Sequence, residues 1–228
     1  MKGNKVSDMK KITCLILTLV LALGCVLALA SCDGGEQKDR LQLLIDMANN
    51  SNATKIVTFV EYDNSKDELG AKYTTEIEGN DMIFSYEKER YNTVSEGILN
   101  GEGLIVTEKG TVYYVDGQYY GEDGLAYADT PSDVKYTFNI TKENLTGAKL
   151  AGNNGFTAEL TKEQAVAVFG TDLSAEGNIA LEVVTTGLQL TGVKLTYTTV
   201  SGATVVVNTS YSYNAINLDF SPIFSEMN

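Results

Sequence analysis

The stretch from Gly192 to Asn214, GVKLTYTTVSGATVVVNTSYSYN, most constrains what this chain can fold into. Val193, Leu195 and Tyr197 fall on alternate positions, and so do Val205, Val207, Tyr211 and Tyr213. A spacing of two puts each set on one face of an extended strand, whereas a helix would scatter it around the axis. A strand with one apolar face must bury that face against something else, so the chain has to build a sheet with a covered side.

The same signature recurs upstream. KIVTFVEY (Lys55 to Tyr62), KYTTEIEG (Lys72 to Gly79) and DMIFSYEKERY (Asp81 to Tyr91) are rich in β-branched and aromatic residues and separated by polar turns. In VYYVDGQYY, Asp116-Gly117 predicts a hairpin, because Asp-Gly supplies the positive φ that a tight turn needs. VKYTFNI sets Val134, Tyr136, Phe138 and Ile140 against Lys135, Thr137 and Asn139. Further strands are expected over Asn178 to Thr186, Leu188 to Val200 and Ala203 to Tyr213. Short connections imply antiparallel neighbours.

Helical spacing is confined to short pieces. Leu41, Leu44, Ile45 and Ala48 share one face of a helix beginning at Asp39, and Asn49-Asn50-Ser51-Asn52 ends it. Thr141 and Thr161 each open a short helical stretch. The second pairs Thr161 with Gln164 as a capping box and stops at Gly170. The fold class is therefore α+β, mainly antiparallel β, with residues 39–228 as a single β-rich domain.

The N-terminal segment has a different logic. Lys10 and Lys11 precede an apolar run from Ile12 to Ala30, and a positive flank, an apolar core and small residues before a break make up an export signal. Its ending, Leu29-Ala30-Ser31-Cys32, resembles the lipobox of bacterial lipoproteins. In that family the cysteine thiol receives a diacylglyceryl group and the signal is cut just before it. The resemblance implies removal of residues 1–31, a lipidated Cys32, and a tether over residues 32–38. Ala22-Leu23-Gly24-Cys25 is a poorer match inside the apolar run, so Cys14 and Cys25 are read as discarded with the signal. Met9 would be the usual start of such a signal, which makes Met1 to Asp8 an extension. Two or three acyl chains hold a protein stably where one does not. The expected location is the extracytoplasmic side of the cell membrane, by a lipid anchor.

Composition then excludes several functions. Removing the signal's four lysines and one aspartate from 17 basic and 30 acidic residues leaves 13 against 29, a net charge of −16. That balance repels phosphate backbones, so nucleic acid is not an expected partner. The chain has no histidine, the commonest general base and metal ligand, and no cysteine after Cys32. No metal or other cofactor is expected, and the protein reads as a monomer.

An exported lipoprotein with one amphipathic helix, then a long antiparallel meander broken by short helices, resembles the LolA, LolB and LppX-like half-barrel carriers. The closing GVKLTYTTVSGATVVVNTSYSYN suits the last hairpin of that family. The resemblance implies a curved sheet, covered on its concave face by the N-terminal helix and the short helices, and a hydrophobic ligand or lipid held between them. The candidate lining is Phe84, Tyr86, Tyr136 and Phe138, then Val183, Leu195, Tyr197, Val207 and Tyr211, with Leu41 and Leu44 from the helix. Periodicity alone assigns such a face to a packed core.

Catalytic constellations are weak. There is no Gly-x-Ser-x-Gly elbow, and Ser132-Asp133-Val134-Lys135 lacks the companion motifs of penicillin-binding enzymes and the helix start its spacing needs. Glu87 and Glu89 alternate with Lys88 and Arg90 as a solvated strand end. Asp116, Glu122 and Asp123 read as an acidic turn rather than a calcium loop. Tyr113-Tyr114 and Tyr119-Tyr120 each send one ring to either face; outward rings would offer a partner or glycan surface, though tyrosine also simply suits edge strands. The leading expectation is a non-catalytic lipoprotein that binds a hydrophobic ligand. The alternative is an envelope interaction module with a filled core and a protein or glycan partner, and an enzyme ranks last.

Overall fold

A computed structural model describes residues 38–65, 68–91, 105–128, 140–141, 144–145, 147–170 and 172–224. The signal, Cys32 and the tether up to residue 37 lie outside the described residues, as do Tyr136 and Phe138. The chain divides into two compact units, Met1–Leu43 and Leu44–Asn228. The described part of the first is the opening of helix α1, which covers residues 38–49, with Leu41 half-buried and Leu43 exposed. In the second unit Leu44, Ile45 and Ala48 continue α1 as its buried stripe.

Among the described residues of the second unit, ten strands join one open antiparallel sheet, in the order β5-β4-β3-β2-β1-β10-β9-β8-β7-β6. The first half is β1 (Lys55–Asp63), β2 (Glu68–Glu78), β3 (Asp81–Tyr91), β4 (Ile105–Val115) and β5 (Gln118–Tyr120). The second is β6 (Lys149–Leu150), β7 (Gly155–Leu160), β8 (Ala175–Thr186), β9 (Gln189–Thr199) and β10 (Thr204–Ser212). Each half is a meander, and β1 pairs with β10 to join them, from Lys55 opposite Ser212 to Asp63 opposite Thr204. Two regions depart from expectation: β4 starts at Ile105, well before VYYV, and GFTAEL forms β7 where no strand was expected. Strands β5 and β6 lie at opposite edges, so residues 121–148 connect one edge of the sheet to the other. Buried Ile140 and Leu145 are landmarks along that crossing.

Local chemistry explains the turns. Asp116 and Gly117 both have positive φ, 52° and 84°, the two left-handed residues of the tight turn that suits strand twist. Helix α2 (Lys162–Phe169) has the expected cap: Gln164 N–H donates to Thr161 Oγ1 at 3.3 Å, and Thr161 N–H donates to Gln164 Oε1 at 2.8 Å. Gly170 ends it at φ 69°, its N–H bonded to the Val166 carbonyl. At Thr141 the described residues form a turn, in which Asn144 N–H donates to the Thr141 carbonyl and hydroxyl.

Residues directly opposite on paired strands point to the same side, so the register defines two faces. The inner face carries Phe156, Ala158 and Leu160 of β7 and Ile179, Leu181 and Val183 of β8, all buried. Helix α2 packs on these two strands through buried Ala165 and Val168. The outer face is solvated along most of its width. At its β3–β5 end Tyr113 and Val115 lie buried beneath Ile223 of α3 (Ser221–Phe224) and Phe220. The Tyr113 and Phe220 rings meet edge-on at 6.3 Å.

Candidate functional site on the inner face of the sheet

The inner face changes character along its width. Where α2 packs, the side chains are sealed: Phe156 and Val183 are 0% exposed and Leu181 is 2% exposed. Toward the centre the same face opens. Val60 and Tyr62 of β1, Ala71 and Tyr73 of β2, and Val207 of β10 are only half-buried. Farther on, Met82, Phe84 and Val112 form a second packed cluster with Tyr73, Ile77, Tyr86, Tyr114 and Tyr119 against it.

The register brings most of the expected lining residues to this one face. Phe84 faces Thr75, which faces Ile56, which faces Tyr211. Two positions along, Tyr86 continues through Tyr73, Thr58, Thr209 and Val193 to Val183. Val207 faces Leu195, and Val205 faces Tyr197. Phe84, Val183 and Leu195 are buried, while Tyr86, Tyr197, Val207 and Tyr211 are half-buried. Leu44 is buried in the same unit, and Leu41 belongs to the first unit.

Sequence reasoning missed Val60, Tyr62, Ala71 and Tyr73. KIVTFVEY is apolar at both parities, with Val57 and Phe59 competing against Ile56, Val60 and Tyr62, so alternation could not choose a face. The pairing of β1 with β10 chooses it, and no local signal carries that information.

The tyrosines of the centre sit in a low-dielectric setting. Tyr62 and Tyr197 flank Val205, to which both are opposite in register, and Val205 is 0% exposed. Burial pushes the Tyr62 hydroxyl up to about 12, with smaller contributions from Tyr197, Glu68 and Tyr73. Burial also raises Tyr197, and it raises Tyr211 together with neighbouring Tyr213. Farther along, the rings of Tyr73 and Phe84 stack at 6.1 Å, Phe84 and Tyr86 lie 6.2 Å apart, and Lys88 Nζ sits 4.7 Å from the Tyr86 ring centroid. Glycine at 110 makes room for Tyr86, since a β-carbon there would lie 2.7 Å from its hydroxyl oxygen. Protonated hydroxyls among aromatic and aliphatic carbon suit an apolar ligand with a weakly polar head, and they supply no nucleophile.

The other sequence features fall elsewhere. Glu87 and Glu89 are exposed on the outer face. The Asp123 carboxylate accepts the Leu125 N–H at 3.0 Å, and no group of three metal-ligating side chains gathers among the described residues. The tyrosine pairs do not give an outward aromatic platform. Tyr113 is covered by the C-terminal segment, while Tyr114 and Tyr119 turn to the inner face with rings 4.6 Å apart. Residues 132–135 lie outside the described residues. Among the described residues, no helix is long and apolar enough to cross a membrane.

No protein-family model and no curated protein matches this chain. Among solved structures, a DUF1329 family protein from Desulfovibrio piger matches at 9% sequence identity and a TM-score of 0.30, over 82% of this chain and 96% of that one. At that distance the likeness says nothing about ligand or chemistry.

Proposed function

We propose that this chain is a bacterial lipoprotein, processed and lipidated at Cys32, that binds a hydrophobic ligand such as lipid against the inner face of its sheet. In this reading the strands curve into a half-barrel of the LolA and LppX kind, with α1 and α2 on the concave side. The protein stands as a monomer on the extracytoplasmic side of the membrane and acts by binding rather than catalysis. One observation carries the reading: a mostly apolar and aromatic face, crossed by Thr58, Thr75 and Thr209, is sealed at the α2 end but only half-buried around Val60, Tyr62, Tyr73 and Val207. Apolar surface left partly exposed is unfavourable by roughly 25 cal/mol per Å², and a ligand that covers it is stabilised by the same amount.

The test is mass spectrometry of organic extracts from the chain beginning at Asp33, expressed in a bacterium and purified without detergent. An acyl-bearing molecule at near-equimolar amount supports the reading. A ligand-free protein that takes up no hydrophobic dye refutes it. The sealed α2 end favours the second reading, an interaction module with a filled core, and that reading takes over on the second outcome.

A further inference from the structure

We propose that the outer face is a second binding site, for a glycan that alternates acidic and neutral sugars. One register row crosses this face without interruption from β4 to β6. Lys109 faces Glu87, which faces Lys72, which faces Phe59 at the middle of the sheet. Beyond Phe59 the row continues through Asn208, Lys194, Glu182 and Thr157 to Lys149. Every one of these side chains is exposed. With strands about 4.8 Å apart, eight spacings make a track of roughly 38 Å.

Two shallow hollows lie on this track. One, of about 560 Å³, has Lys149, Lys194, Glu159 and Glu182 in its wall; the other, of about 250 Å³, has Lys72, Lys109, Glu87 and Glu122. Between them Phe59 is 46% exposed, with Lys72 Nζ 5.6 Å from its ring centroid. An exposed ring with a flat polar surround offers its negative face to the C–H groups of a sugar.

Charge selects the class of glycan. The protein is acidic overall, yet this row holds four lysines against two glutamates. The ammonium groups of Lys109, Lys149 and Lys194 have no ion-pair partner among the described residues. Each hollow sets two lysines against two glutamates, so an occupant must offer carboxylates to the lysines and neutral hydrogen-bond donors to the glutamates. Two positions to one side, Glu89 and Glu61 make an acidic border; two positions to the other, Thr111, Ser85 and Thr74 make a hydroxyl border. An anionic group is therefore held on the lysines and toward the hydroxyls. Glu87 lies between Lys109 and Lys72, and Glu182 between Lys149 and Lys194, so a dense polyanion is disfavoured. A chain with spaced carboxylates fits, and its neutral hydroxyls can donate to the glutamates.

The experiment uses the full chain in detergent micelles and hyaluronate oligosaccharides as the probe, with binding read by titration calorimetry. Carboxyl-reduced hyaluronate and poly-glutamate are the comparators. Binding of hyaluronate alone is expected, weakened about tenfold or more by Lys72→Gln with Lys194→Gln, as loss of charge-assisted contacts requires. Phe59→Ala should weaken it several-fold, and Lys162→Gln on α2 should not change it. These exposed substitutions leave the thermal midpoint in place, which separates lost binding from lost folding. No binding, equal binding of poly-glutamate or of the carboxyl-reduced chain, or a Lys162→Gln effect equal to that of the row would each overturn the proposal.

Discussion

The side-chain amide of Asn49 pairs with both backbone groups of Ile140, 91 residues away: Ile140 N–H donates to Asn49 Oδ1 at 2.8 Å, and Asn49 Nδ2 donates to the Ile140 carbonyl. The amide does here what a neighbouring strand would do. It satisfies a buried residue of the crossing segment from the last turn of α1, and Ile140 is 0% exposed. Removing it leaves a buried N–H and C=O without partners. Asn49→Ala should therefore destabilise the domain by about 2 kcal/mol. Asn49→Asp, which keeps the acceptor and loses the donor, should also destabilise it. Urea unfolding of the three proteins checks this, and an unchanged midpoint for Asn49→Ala would show that the crossing segment is held by other contacts.

Gly110 and Tyr86 give a second test. A β-carbon at position 110 would meet the ring end of Tyr86 at 2.7 to 2.9 Å. The ring cannot simply swing away without leaving Phe84 and Lys88. Gly110→Ala should cost about 1–3 kcal/mol, as overpacking does. In a Tyr86→Ala background the same substitution should cost almost nothing, so the pair should be strongly non-additive. Additive costs would place the strain in the β4 backbone instead.

Alkaline titration reports on the centre of the inner face. Burial favours the neutral hydroxyl of Tyr62, lifting its folded value from 10 to about 12. A group whose folded value is raised contributes its stability in full below its unfolded value, and loses it as pH rises through the folded one. Alkali should therefore destabilise the fold progressively from pH 10 to about 12 through this residue. Tyrosinate absorbance should show late-ionising tyrosines, and Tyr62→Phe should remove one of them and move alkaline unfolding to higher pH. A Tyr62→Phe curve identical to that of the parent would contradict the buried setting.

The proposed anchor is tested in cells with an alkyne-bearing fatty acid. Cys32→Ala should lose the label and retain an uncut signal. Cys25→Ala should keep the label and be processed normally. Label lost on Cys25→Ala would put the anchor at the other cysteine.

Much of the architecture is legible wherever the local pattern is also the tertiary one. DMIFSYEKERY gives β3 with the bounds of its own polar turns, Asp-Gly gives the hairpin, and Thr161 with Gln164 gives the start of α2. Strand β7 is missed although Phe156, Ala158 and Leu160 alternate, because three apolar positions in six residues are too few to stand out. The strand order is a different matter. It depends on β1 meeting β10 across nearly the whole domain, and only that pairing decides which parity of KIVTFVEY turns inward and leaves Phe59 outside. The lysine row is invisible for the same reason, since its members come from nine strands aligned by register alone. The cover over Tyr113 rests on a four-residue helix, too short to leave a period.

The last prediction separates a ligand space from a filled core by comparing added bulk at two valines on the same face. Val183 is 0% exposed beneath the α2 end, whereas Val207 is half-buried at the centre beside Val60. A core packed to crystal density has no room for an indole, so Val183→Trp should cost about 1–3 kcal/mol or more. If the centre of the face is a ligand space, Val207→Trp should change stability by less than about 1 kcal/mol, because the ring enters room otherwise given to the ligand. It should then lower uptake of an acyl chain or hydrophobic dye in proportion to the room it takes. Thermal melts and dye titration on the two variants give both readouts. Equal destabilisation by the two tryptophans, with no uptake by the parent, would mean that the face is filled along its whole width and that the protein works through its surface.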